Sequence, residues 1–174
     1  MIRLTPPPGP TDHAQGPADA PVTLVEYGDY ECPYCGEAYA VIKAVQKAMG
    51  PRLRFIFRNF PLTESHPHAA RAAELAEAAA TIDRFWLAHD ILYENQTALE
   101  TPNLVRYGAH VGLDPSTVVA AFEGRFDARI RADFESGVES GVNGTPTLFI
   151  NGLRYDGPRD VQSLLDALTP SAPD

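Results

Sequence analysis

At 174 residues the chain has the length of one domain with a sizeable buried core, and a two-domain division would be cramped. A formal net charge of -9 with no cluster of Lys or Arg argues against nucleic acid or an anionic membrane as partner, because both need concentrated positive charge. The two cysteines stand only three positions apart, too close to staple a fold by closing a long loop, which excludes a structural disulfide framework.

Residues 1–11 are dominated by proline, with no hydrophobic period, and read as an extended arm outside the core; the folded domain is expected over residues 12–170. Met1-Ile2-Arg3-Leu4 opens no apolar run of signal-peptide length and no later segment approaches membrane-span length, so a cytoplasmic location is expected. Val22 to Tyr27 is a β-branched, apolar strand that runs through Gly28-Asp29-Tyr30-Glu31 into Cys32-Pro33-Tyr34-Cys35. From Pro33 the pattern turns helical, with Ala38, Val41, Ile42, Val45 and Met49 at three- and four-residue spacing until Gly50-Pro51 stops it. Leu53 to Phe57 reads as a buried strand, and the three elements make a right-handed βαβ unit with parallel strands.

A helical insertion is expected over about residues 65–124. Its first helix, after Pro67, carries Arg71, Glu74 and Glu77 on a polar stripe and Ala72, Leu75, Ala76 and Ala79 on a buried one. Further helices are expected around Phe85 to Tyr93, around Leu104 to Val111, and after the N-cap and N1 pair Asp114-Pro115. Another places Ile130, Phe134 and Val138 on one stripe and ends near Gly141. Thr147 to Ile150, the two-residue turn Asn151-Gly152 and Leu153 to Tyr155 spell a hairpin, and a closing helix lines up Val161, Leu164, Leu165 and Leu168 to cover the sheet.

The chemistry sits at the strand-to-helix junction. A cysteine just ahead of a helix faces unpaired backbone N–H groups and the positive end of the helix dipole, which stabilise its thiolate. Cys32 is that residue, expected to be exposed, and lowering its pKa from about 8.5 to about 7 requires roughly 2 kcal/mol of preferential stabilisation. Pro33 suits the first helical position. Cys35, one turn below and facing inward, attacks a mixed disulfide but is not easily attacked first, so it is the resolving thiol. The same pair can form half of a metal site completed by His66 and His68, but its placement ahead of a helix favours redox chemistry, and the two histidines read as a helix-entry feature.

Val25-Glu26-Tyr27-Gly28-Asp29-Tyr30-Glu31-Cys32-Pro33-Tyr34-Cys35, Arg58-Asn59-Phe60-Pro61-Leu62 and Gly144-Thr145-Pro146-Thr147-Leu148-Phe149 resemble the DsbA-like family of the thioredoxin superfamily over roughly Asp12 to Leu168. The resemblance implies an α/β thioredoxin fold with a four-stranded mixed sheet, flanking helices and a helical insertion capping the active-site side. It implies that Pro146 is cis beside Cys32, where residues alone say only a turn before a strand, and that the backbone at Thr145 pairs with an extended substrate. Pro33 and Tyr34 are expected to touch the same substrate. Related folds put a buried acid where Glu26 stands; alternation groups it with Val22 and Leu24, which favours an inward side chain able to exchange a proton with Cys35 over an exposed strand face.

The resemblance implies disulfide exchange with protein thiols and disulfides, or with glutathione or a thioredoxin-type partner, without metal or organic cofactor. Pro33-Tyr34 matches glutaredoxins and departs from the Pro-His pair of strongly oxidising members. Tyr34 brings no cationic charge to the thiolate, so a reducing poise and reductase or isomerase work are expected. The rivals are a glutathione-dependent reductase or isomerase and a metal-binding or redox-silent interaction module.

Overall fold

Val22–Gly28 and Leu53–Asn59 form two parallel strands joined by the helix Pro33–Met49, the parallel crossover expected of a strand, a helix and a strand. The computed structural model describes residues 1–169; the expected domain end at residue 170 lies outside them. The sheet has five strands, one more than the four expected: β1 (His13–Gln15), β2 (Val22–Gly28), β3 (Leu53–Asn59), β4 (Thr147–Ile150) and β5 (Leu153–Tyr155), in the order β1-β3-β2-β4-β5. Apart from β2 and β3, neighbours run antiparallel. β1 spans three residues, too short for any alternation to announce it, and it is defined by pairing His13 to Gln15 against Phe57 to Phe55.

The central strands are buried on both faces, which their near-continuous apolar sequences require. On one face Leu24, Phe55, Phe57 and Leu148 pack against α1 (Pro33–Met49), α3 (Phe85–Glu94) and α7 (Val161–Leu168) through Ala38, Ile42, Val45, Ala88, Leu92, Leu164 and Leu168. On the other, Val25, Tyr27, Ile56 and Phe149 meet Phe60, Val142 and Phe134 of α6 (Asp127–Glu139). α2 (Ala69–Ala80), α4 (Thr101–Val111) and α5 (Pro115–Phe122) complete the helical layer, where Leu75, Leu104, Val111 and Val118 join the first core. Asn151 and Gly152 take φ values of 49° and 78°, the two left-handed residues that a tight hairpin between β4 and β5 needs.

Three expectations are corrected. The arm over residues 1–11 is not outside the core: Leu4 is buried beside Val25 and Phe149, its amide donates to Gly152 O at 2.9 Å, and Arg154 N donates to Ile2 O at 3.0 Å. Prolines leave carbonyls free to accept, and Arg58 donates to Pro6 O at 3.1 Å. Glu77 is not on a polar stripe but buried, gripped by His13 Nε2 at 2.9 Å and Asn59 Nδ2 at 2.8 Å. On α6, Val138 is 57% exposed, while Asp133, Ser136 and Gly137 are buried. The glycine is required there, because a Cβ would stand 2.7 Å from the Phe60 ring.

Candidate active site

Cys32 occupies the N-cap of α1 in extended backbone conformation, with Pro33 following at the start of the helix. Its amide donates to Asp29 O at 3.1 Å, and its carbonyl accepts from Cys35 N at 3.0 Å and Gly36 N at 3.1 Å, closing the first turn. Both cysteines are free thiols. Cys32 is only 3% exposed, against the exposed sulfur expected, because it lies under the Thr145–Pro146 loop, with Sγ 3.5 Å from Thr145 O. The Thr145–Pro146 peptide bond is cis. Pro33 is exposed and Tyr34 is 61% exposed, so these two side chains form the lip of the site.

The electrostatics separate the two sulfurs. Hydrogen bonding from the Cys35 thiol outweighs opposition by burial and, with Thr145 and the Cys35 and Tyr34 amides, brings the Cys32 thiol down to about 5. Burial first, then the Cys32 hydrogen bond and the charge of Glu26, pushes the Cys35 thiol up. At neutral pH the pair is therefore one thiolate over one thiol. Glu26 lies at the centre of β2, paired with Phe57 and Leu148, buried on the cysteine-facing side together with Leu24. Its Oε1 has no hydrogen-bond partner; burial, then the Cys32 charge, raises its carboxyl to about 8, with Arg159 opposing.

Three groups around the motif escaped the sequence reading. Asp29, buried directly after β2, accepts from Glu31 N at 2.8 Å, Leu62 N at 2.9 Å and His66 Nδ1 at 2.7 Å, while its own amide donates to Cys35 Sγ at 3.5 Å. Gln96, beyond α3, donates to Tyr30 O at 2.9 Å and Cys32 O at 2.7 Å. It can do so because Gly36 has no side chain, a Cβ there falling 2.3 Å from Gln96 Oε1. Arg159, ahead of α7, donates to Pro146 O at 3.5 Å. Gln96 and Arg159 come from segments remote in the chain, and Asp29, although next to the motif, is engaged by Leu62 and His66 from beyond β3; an Asp, a Gln or an Arg in a polar stretch carries no local signal of such partners. His68 is the N-cap residue of α2 and its amide donates to the Glu31 carboxylate at 2.6 Å, as a helix-entry feature would; the His66 ring is instead turned to Asp29. Among the described residues, no three His, Cys, Asp or Glu side chains converge as a metal site, and no helix is long and apolar enough to cross a membrane.

Comparison with known proteins agrees with this architecture. The family model described as Thioredoxin matches residues 9–169. A thioredoxin-like oxidoreductase from Silicibacter pomeroyi superimposes with a TM-score of 0.80 at 27% identity over 91% of each chain. BdbD from Bacillus subtilis in its oxidised form gives 0.81 at 22% over 90% of each, and DsbA2 from Pseudomonas aeruginosa 0.72 at 25% over 92% of this chain and 94% of that one. Among curated sequences, 90% of the chain matches the Na(+)/H(+) antiporter NhaA 3 of Salinispora tropica at 42% identity, and 90% matches NhaA 1 of Mycolicibacterium vanbaalenii at 41%. The chain spans only about a quarter of those relatives' length, 24% and 26%. The family model and the shared architecture of the solved structures lead to one assignment: the chain belongs to the thioredoxin family, as a DsbA-like member.

Proposed function

We propose that the chain is a thiol–disulfide oxidoreductase acting on protein substrates, with Cys32 as nucleophile and Cys35 as resolving thiol. The observation that carries this reading is the placement of the pair, Cys32 at the N-cap of α1 under the Thr145–Pro146 loop and Cys35 fully buried one turn on, with the first thiol brought down and the second pushed up. In the reducing direction the Cys32 thiolate attacks one sulfur of a substrate disulfide and releases the other as a thiolate, leaving a mixed disulfide. Cys35 then loses its proton, with Glu26 as acceptor, and attacks Cys32 Sγ. The second substrate sulfur leaves as thiolate, two electrons having passed to the substrate. Capping Cys32 removes the charge that helps keep Glu26 neutral, so the acid ionises more readily when an acceptor is needed. The Thr145 backbone pairs with the extended substrate, and Pro33 and Tyr34 line its path.

The poise follows from the same sulfur. A Cys32 thiol brought below its ordinary range favours the reduced pair, which places the potential on the less reducing side of a thioredoxin-like thiol at about 7. That supports isomerisation or reduction in a cytoplasmic thiol pool, with glutathione as an alternative partner. It is less reducing than Tyr34 alone led us to expect, since the stabilisation comes from hydrogen bonds that the side chain between the cysteines does not supply.

The test is paired: Cys32→Ser abolishes insulin reduction in a turbidity assay, and Cys35→Ser accumulates covalent complexes that dissolve with dithiothreitol. Turnover retained in the first, or no adducts in the second, overturns the mechanism. Redox titration against glutathione checks the poise, and a value close to that of the strongly oxidising DsbA type would overturn both the direction and the cytoplasmic location.

A further inference from the structure

No side chain between the cysteines is cationic, yet the site holds a thiolate, and besides Arg159 at the Pro146 carbonyl a second candidate for a compensating charge lies 31 residues beyond the motif. His66 stands in the segment between β3 and α2 with its side chain 19% exposed, at the rim of the site, and its Nδ1 is 2.7 Å from the Asp29 carboxylate, which is itself fully buried. Asp29 touches both halves of the cysteine pair: its carbonyl takes the Cys32 amide at 3.1 Å and its amide donates to Cys35 Sγ at 3.5 Å. A lone buried carboxylate in that position would oppose the Cys32 thiolate; one paired with an imidazolium does not. The charged groups facing His66 are Asp29, Cys32 and Glu31; all three are anionic, and despite burial they raise its pKa.

We propose that His66, held by Asp29, is a positioning residue for Cys32 that brings to the thiolate, from outside the cysteine motif, the cationic charge Tyr34 lacks. It touches neither substrate nor sulfur and acts through the field it sets. The role rests on the oxidoreductase reading, in which the poise of Cys32 decides direction.

His66→Gln keeps a donor for Asp29 and removes the charge. In the reduced protein the Cys32 thiolate, followed by absorbance near 240 nm against pH, should titrate about one pH unit higher than in the native chain. The equilibrium constant with glutathione should then move about tenfold toward the protein disulfide, equivalent to about 30 mV, and His66→Arg should restore most of both. Coupling is reciprocal, so the native His66 ring, followed by NMR, should titrate lower once Cys32 and Cys35 are oxidised; this needs no folded variant. An unmoved thiolate midpoint in folded His66→Gln, or a His66 midpoint indifferent to oxidation, overturns the proposal. Insulin reduction by the native chain judges the oxidoreductase reading separately: activity with an unmoved midpoint refutes only the role of His66.

Discussion

Replacing Glu26 by Gln should stabilise the protein, and by an amount that grows with pH. The carboxyl is raised from 4.5 to about 8, first by burial and then by the Cys32 charge. A group whose folded-state pKa is raised binds more protons folded than unfolded between the two values, so its contribution is fully present below 4.5 and is lost as pH rises through about 8. At pH 7 the unfolded chain gains from ionising Glu26 while the folded chain keeps it neutral; that is roughly 2.5 pH units at about 1.4 kcal/mol each, or about 3.5 kcal/mol. Gln has the shape of the neutral acid and does not titrate, so Glu26→Gln escapes this penalty. Urea unfolding of the reduced proteins should show near-equal stability at pH 4 and a midpoint raised by about 1 M at pH 7. The oxidised proteins should differ less, because the disulfide removes the Cys32 charge. Turnover should fall in the same variant, since Cys35 loses its proton acceptor. A stability difference that does not change between pH 4 and pH 8, or a variant less stable than the native chain at pH 8, would refute a buried, uncompensated acid at this position.

Two further substitutions probe the opposite face of the sheet. Arg58 is held by Asp12 through Nε at 2.8 Å and Nη2 at 3.0 Å, with both side chains almost fully buried, so Asp12→Ala leaves an uncompensated guanidinium and should cost about 3–5 kcal/mol in chemical unfolding; a loss under about 1 kcal/mol would show that the Tyr27 hydroxyl and the proline carbonyls suffice. Gly137→Ala places a methyl 2.7 Å from Phe60 and 3.1 Å from Tyr27, and should destabilise by about 1–3 kcal/mol, read as a lowered melting temperature. An unchanged melting temperature would mean the stacked Phe60 and Phe134 rings can slide, contrary to their close packing.

What local physics determines was legible in the chain itself. The Ala38, Ile42, Val45 and Met49 spacing defines the buried face of α1, Asn151-Gly152 is the hairpin turn, and the cysteine motif falls at the N-cap of α1. The orientation of Glu26 also follows from alternation, since Leu24 shares its face while Val25 and Tyr27 take the other. What escaped depends on partners far away in sequence. Glu77 and Asp133 carry the residue types of a solvated face, and only the arrival of His13, Asn59 and Arg129 makes their burial tolerable. Asp29 and Gln96 were passed over for the same reason, because a carboxylate or an amide becomes part of a site only when backbone donors or acceptors from other segments converge on it.

The first fifteen residues bear on how the sheet meets other polypeptides. Arg3 bridges to Leu153 at the β5 margin, and the chain then passes Arg58 to lay down β1 against β3 at the opposite margin, where Trp86 Nε1 closes over Ala14 O at 3.2 Å. Margins of sheets are where extended chains add themselves without discrimination, and a protein proposed to pair its backbone with extended protein substrates meets such chains. Strapped at one side and finished by a three-residue strand at the other, this sheet offers another chain few continuous rows of unpaired amides, which under the proposed reading would favour landing at the Thr145 loop, beside the reactive sulfur.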